Sequence, residues 1–232
     1  MSIVKKIFTD SIVYGLGNAI TKFLQILLLP IISNNIQSES IFNQWNNVQI
    51  VVNIFAVLML FGQESTFARF NIEKENSQKK LFFNSGYIIM IIFVLIVLLF
   101  NIPICKNKIQ NFIGYSLDTL QLNLIFTWAF LNSILSFVQN YFRWTYKKFY
   151  FILIAFSQII FNIILLYVFL QQKKMFTVSA LIDVNIIVST IILATIVLIN
   201  YKKFTGGFYI DFSLQKKMFL FGLPLIDRKS VV

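Results

Sequence analysis

The sequence contains no histidine and a single cysteine, Cys105, among 232 residues. A zinc site therefore lacks a ligand set, a His-based triad lacks its general base, and a disulfide within the chain lacks a second thiol. Charge is scarce as well. Asp, Glu, Lys and Arg make up 12% of the chain, against roughly 25% in an ordinary soluble domain. These absences remove most enzyme chemistry and imply no cofactor and no metal.

Apolar side chains fill the space that charge leaves. They form 58% of the chain, and the mean hydropathy is +0.77. No charged residue occurs between Glu39 and Glu64, Lys80 and Lys106, Asp118 and Arg143, or Lys148 and Lys173, intervals of 24 or 25 residues each. About 20 such residues in a helix cross the hydrocarbon of a bilayer. Two further stretches carry one charge apiece: Ser11–Ser33 with Lys22, and Met175–Tyr201 with Asp183. None alternates as a barrel strand does. The expected fold is all-α, a polytopic six-helix transmembrane bundle. Ser11–Ser33 lacks a small-residue cleavage site and is followed at once by another span, so it reads as a span and not a removable leader.

Short connections make the spans antiparallel neighbours in one bundle, residues 1–200. Arg69–Lys80 reads as a hydrophilic cytoplasmic turn, and about Asn101–Leu117 as the largest outside loop. Residues 201–217, broken at Gly206-Gly207, read as a cytoplasmic linker. Met218 opens a seventh apolar stretch that stops after nine residues, 218–226, too short to cross. Residues 227–232, Asp-Arg-Lys-Ser-Val-Val, match one reading frame of a widely used sequencing adapter. That tail is expected to be non-native, and the chain the front part of a longer protein.

The net charge of +11 is distributed by side. With the N-terminus in the cytoplasm, thirteen bases lie inside: Lys5, Lys6, Arg69, Lys74, Lys79, Lys80, Arg143, Lys147, Lys148, Lys202, Lys203, Lys216 and Lys217. Outside lie Lys106, Lys108, Lys173 and Lys174. Bases near span ends resist translocation, so the N-terminus is expected inside. They form no continuous basic face of the kind that tracks phosphates, which excludes nucleic acid as a partner.

Polar side chains within spans are costly and mark helix contacts or a wet cavity. The second span carries Asn46, Gln49 and Asn53, with Glu64 eleven residues further, close to three turns; all four are expected on one face. The fourth repeats the device with Asn132, Ser136, Gln139 and Arg143. The first has Asn18, Lys22 and Gln25. The third, Ile88–Phe100, has no polar stripe and is expected to face lipid. Amides can simply bond helix to helix. A lysine in mid-span costs on the order of 2.5–3.5 kcal/mol unless it meets water or a partner, which sets Lys22 apart. Asp183 can pair with a base or hold a coupling cation, and Glu64 is the other coupling candidate. Tyr141, Trp144 and Tyr146 read as an interfacial aromatic belt.

The order of landmarks then resembles a known family. Tyr14-Gly15-Leu16-Gly17-Asn18, Lys22-Phe23 and Leu27-Leu28-Leu29-Pro30 look like the first helix of bacterial polysaccharide-biosynthesis flippases of the O-antigen type, members of the multidrug/oligosaccharidyl-lipid/polysaccharide exporter superfamily. Phe61-Gly62 through Arg69-Phe70 resembles the end of their second helix, and Phe142-Arg143-Trp144 with Lys147-Lys148 the end of their fourth. Lys216-Lys217-Met218 and Phe221-Gly222-Leu223-Pro224-Leu225 are similar to the entry of the seventh. Phe42-Asn43 stands where the family usually has Tyr-Gly, and Gln63-Glu64 where it has small or apolar residues. The resemblance covers residues 1–226, the N-terminal one of two bundles.

It implies translocation of an undecaprenyl-pyrophosphate-linked oligosaccharide across the bacterial inner membrane for surface polysaccharide assembly. This truncated half is expected to be inactive alone, because alternating access needs both bundles. Lys22 and Arg69 become candidates for phosphate contact; Asn46, Gln49, Asn53, Gln139 and Arg143 become candidates for the cavity. The implied partners are the lipid-linked oligosaccharide, membrane lipids and other polysaccharide-assembly membrane proteins. Three alternatives stand beside it. A cation-coupled multidrug exporter of the same superfamily shares the bundle. A membrane-embedded glycan polymerase or ligase needs a large catalytic outside loop, and this chain's is short, so no enzyme activity is expected. A structural scaffold tolerates leucine in its polar stripes.

Overall fold

The computed structural model describes residues 15, 26, 30–36, 38–73, 78–114, 117–171, 177–200 and 210–229. Among the described residues, eight helices beyond residue 38 build the fold: α1 (Glu39–Leu60), α2 (Gln63–Glu73), α3 (Gln78–Phe100), α4 (Pro103–Ile113), α5 (Thr119–Trp144), α6 (Lys148–Gln171), α7 (Val178–Ile199) and α8 (Phe212–Lys229). Five stretches are long and apolar enough to cross a membrane: Glu39–Ile72, Gln78–Phe100, Thr119–Trp144, Lys148–Phe169 and Val178–Ile199. The fold is all-α and of multi-pass membrane type. Most of Ser11–Ser33, the first expected span, lies outside the described residues.

α5 is the hub. It packs on α1, α2, α3, α6 and α7, and Leu122, Ile125, Phe126, Ala129, Leu135 and Phe142 on it are buried. Rings supply much of the fit. Trp45 of α1 stacks on Trp128 of α5 with centroids 5.4 Å apart and planes 8° apart. Phe55 meets Phe126 and Phe100 edge-on at 5.0 Å and 4.9 Å, joining α1 to α5 and α3. Lipid is as apolar as these side chains, so close packing of this kind, and not exclusion of water, selects helix neighbours in a bilayer. α3 turns Met90, Val94, Leu95, Leu98 and Leu99 outward. That exposed apolar side has the character expected of a lipid-facing one, while Ile88, Ile89 and Ile96 are buried against the bundle.

Helix ends depart from the sequence reading in three places. Arg69–Lys80 is largely helix: α2 runs to Glu73 and α3 starts at Gln78. Asn101–Leu117 contains α4, opened by Pro103 in its first turn and closed by Gly114 at φ 73°. α8 begins at Phe212, so residues 212–217 form its first turns and are not linker. The cause is common to all three. Polarity marks where lipid ends, whereas Gln, Glu and Lys are good helix formers that carry the backbone on into water. The stretch Glu39–Ile72 shows the scale: α1 alone, at 22 residues, rises about 33 Å, already the depth of a hydrocarbon core of about 30 Å, and α2 adds eleven helical residues beyond it.

Candidate functional site

Along α1 the amides Asn43, Asn46, Gln49 and Asn53 recur at intervals of three and four, which places them on one stripe. Trp45, Val48, Val52, Phe55 and Met59 are the buried side of the same helix. Asn43 and Asn53 are exposed and Asn46 and Gln49 half-buried, with Ile50, Ile54 and Val57 exposed beside them. Asn47, one position round, donates instead to the carbonyls of Phe112 and Ile113 at 3.2 Å and 3.4 Å. The stripe of Asn46, Gln49 and Asn53 thus exists as expected.

Glu64 does not join it. Phe61 and Gly62 take left-handed φ values of 44° and 66° and break the helix between α1 and α2. An eleven-residue count holds only along an unbroken helix, so the register is reset. The Glu64 carboxylate turns to α5, where Ser136 Oγ and Asn140 Nδ2 both donate to its Oε1 at 2.8 Å. Asn140 was not singled out by the sequence; its only signal is its place one turn beyond Ser136.

The polar stripe of α5 divides between neighbours. Gln139 Nε2 donates to the Phe151 carbonyl of α6 at 3.4 Å, a helix-to-helix bond. Arg143 is exposed, its guanidinium 5.6 Å from the Trp144 ring centroid. In the expected aromatic belt, Trp144 and Tyr146 are exposed but Tyr141 is buried, in ring contact with Phe67 and Phe82. Asp183 lies on an exposed side of α7 with no partner among the described residues. Lys22, Asn18 and Gln25 lie outside the described residues. Among the described residues no group of His, Cys, Asp and Glu could hold a metal ion.

The most constrained polar region is the junction where α8 meets α2 and α3. A Cβ on Gly222 would stand 2.6 Å from the Phe61 carbonyl oxygen and 3.4 Å from Gln63 Nε2, so α8 crosses the α1–α2 break in direct backbone contact. Phe219 stacks on Phe61 at 4.6 Å, and the Arg69 guanidinium lies 4.4 Å from the Phe221 centroid. At the start of α8, Asp211 pairs with Lys80 at 2.6 Å. It also accepts from Ser213 N, Ser213 Oγ and Leu214 N, the arrangement of an N-cap. Asn84 of α3 accepts from Asp211 N at 3.1 Å and donates to the Lys80 carbonyl at 2.7 Å. The hydrogen bond from Lys80, then those from Ser213 and Leu214, hold the Asp211 carboxyl far below the usual carboxylate range. Gln63 Oε1, Ser85 Oγ and Gln215 Nε2, one on each helix of the junction, are buried without a hydrogen-bond partner among the described residues.

The landmarks Phe61–Phe70 and Phe221–Leu225, far apart in sequence, therefore meet here. Compared with protein-family models, the chain matches that of the polysaccharide biosynthesis proteins over residues 7–230. The chain belongs to the polysaccharide biosynthesis protein family. Curated proteins and solved structures yield no match. In this member of the family, the glycine of each landmark has a physical task. Gly62 supplies the second left-handed residue of the break, and Gly222 lets α8 reach it.

Proposed function

We propose that this chain forms one bundle of a bacterial inner-membrane flippase that moves an undecaprenyl-pyrophosphate-linked oligosaccharide from the cytoplasmic to the outer leaflet. The observation that carries the reading is the amide stripe of α1. A membrane-length helix keeps Asn43, Asn46, Gln49 and Asn53 off its buried side. Amides facing lipid have no water to bond, so such a stripe is favourable where it lines a wet path or meets polar groups. Amides donate and accept at once, which suits the hydroxyls of a sugar. Bases supply the complement to pyrophosphate: Lys22 and Arg69 are the candidates, with Arg143 and the Gln139 amide as further cavity candidates. The N-terminus is cytoplasmic in this reading, catalysis is not part of it, and a second bundle completes the cavity.

Replacing Asn46, Gln49 and Asn53 together by leucine in the producing cell tests it. Surface polysaccharide is expected to fall sharply while membrane levels of the protein hold. Normal export from the leucine variant would overturn the reading and favour a scaffold. Glu64, held between Ser136 and Asn140, also fits a cation-coupled exporter of the same superfamily. Drug accumulation in cells lacking the gene, with surface glycan intact, would point that way.

A further inference from the structure

α4 is an eleven-residue helix folded back over the end of the bundle where α3 finishes and α5 begins. Its inner side is fixed. Ile109 and Ile113 are buried, Gln44 donates to the Gly114 carbonyl, and Asn47 donates to those of Phe112 and Ile113. Lys106 is tied to Thr119 Oγ1 at 2.9 Å. The other side presents Ile104, Lys108 and Phe112, spaced four apart and so on one stripe. Ile104 is 71% exposed and Phe112 54%. Asn107 and Asn111 flank that stripe and are exposed too. Apolar exposure does not begin with α4: Leu95, Leu98 and Leu99 at the end of the membrane-length helix α3, and Ile102 just after it, are exposed too.

We infer that α4 is an interfacial helix, seated in the headgroup region of the bilayer, with Ile104 and Phe112 in the acyl boundary and Lys108 reaching a lipid phosphate. Continuity with the lipid-facing side of α3 names the occupant. A lysine between two large apolar residues is the arrangement in which an ammonium snorkels to the headgroups while its stem stays in the apolar layer. The amide edge at Asn107 and Asn111 then faces water. The consequence is mechanical: α4 holds one end of α1, and with it the amide stripe, at a set depth in the leaflet.

The test uses the whole chain in phosphatidylcholine–phosphatidylglycerol liposomes. With Cys105→Ala as background, single cysteines replace Ile104, Asn107 or Phe112 and carry an environment-sensitive nitrobenzoxadiazole label. Labels at 104 and 112 are expected to emit further to the blue, to lose fluorescence to lipids spin-labelled near the headgroup, and to resist aqueous iodide. The label at 107 is expected to do the reverse. The unsubstituted chain labelled at its own Cys105, beside the stripe, gives a reading free of any folding defect and is expected to be quenched from the lipid. Equal iodide quenching at all positions would overturn the inference. So would self-quenching that grows with protein density, which would mean a second copy covers the stripe.

Discussion

A methyl group at Gly222 has nowhere to go, because the Phe61 carbonyl oxygen lies 2.6 Å from where it would stand. Gly222→Ala should therefore push α8 off the α1–α2 break and cost about 1–3 kcal/mol, the usual range for overpacking. Gly86, in the interior of α3 with open space about its Cβ position, is the control: Gly86→Ala should stabilise by up to roughly 1 kcal/mol through lost chain entropy. Thermal unfolding in detergent, followed by size-exclusion, measures both. At Glu64 the shape of the contact separates two roles. Glu64→Gln keeps an acceptor for Ser136 and Asn140 and should unfold closer to the unsubstituted chain than Glu64→Leu does. Glu64→Leu strands both donors and should cost about 1–3 kcal/mol. If the charge couples transport to a cation, only Gln will separate export from stability, lowering surface glycan at normal protein levels.

For single helices, the start of α8 carries a pH-dependent contact. The folded Asp211 carboxyl titrates below its unfolded value, so it stabilises the helix start at every pH above the unfolded value, about 4, and the gain disappears as acid brings the folded group to protonation. Hydrogen-exchange protection of Ser213 and Leu214 should hold from neutral pH to about 4 and fall below it. Asp211→Ala should show the low-protection state at neutral pH. The sequence could not reveal this contact, because Asn84 and Asp211 are 127 positions apart and neither belongs to a periodic pattern. α4 was missed for another reason: its polar residues resemble loop composition, and only the folding of Ile109 and Ile113 onto the bundle gives its amphipathicity a direction. The existence of α1, α3, α5 and α6, by contrast, was plain from charge-free length, and that of α7 from an apolar stretch with Asp183 as its single charge.

For the whole molecule, the alternation of helices puts Lys79, Lys80, Arg143, Lys147 and Lys148 at one end of the bundle and Lys106 and Lys108 at the other. If bases resist translocation, single cysteines at Lys79 and Lys216 in a Cys105→Ala background should both be sealed from impermeant maleimide in intact cells. A cysteine at Asn107, on the water-facing edge of α4 and exposed, should react. Labelling of Lys79 from outside would reverse the proposed orientation and, with it, the direction of transport.

By itself the sequence determined that the chain is built of apolar, membrane-length helices and where four of them lie, because the absence of charge over 24 residues is a local property that no tertiary contact can supply. It also placed the amides of α1 on one stripe, since that follows from helical period alone. Only the tertiary structure decided where Glu64 points, because two left-handed residues at 61 and 62 reset the register. It likewise decided that α8 closes on that break through Gly222 and Asp211, since those contacts depend on which helices α5 gathers around itself.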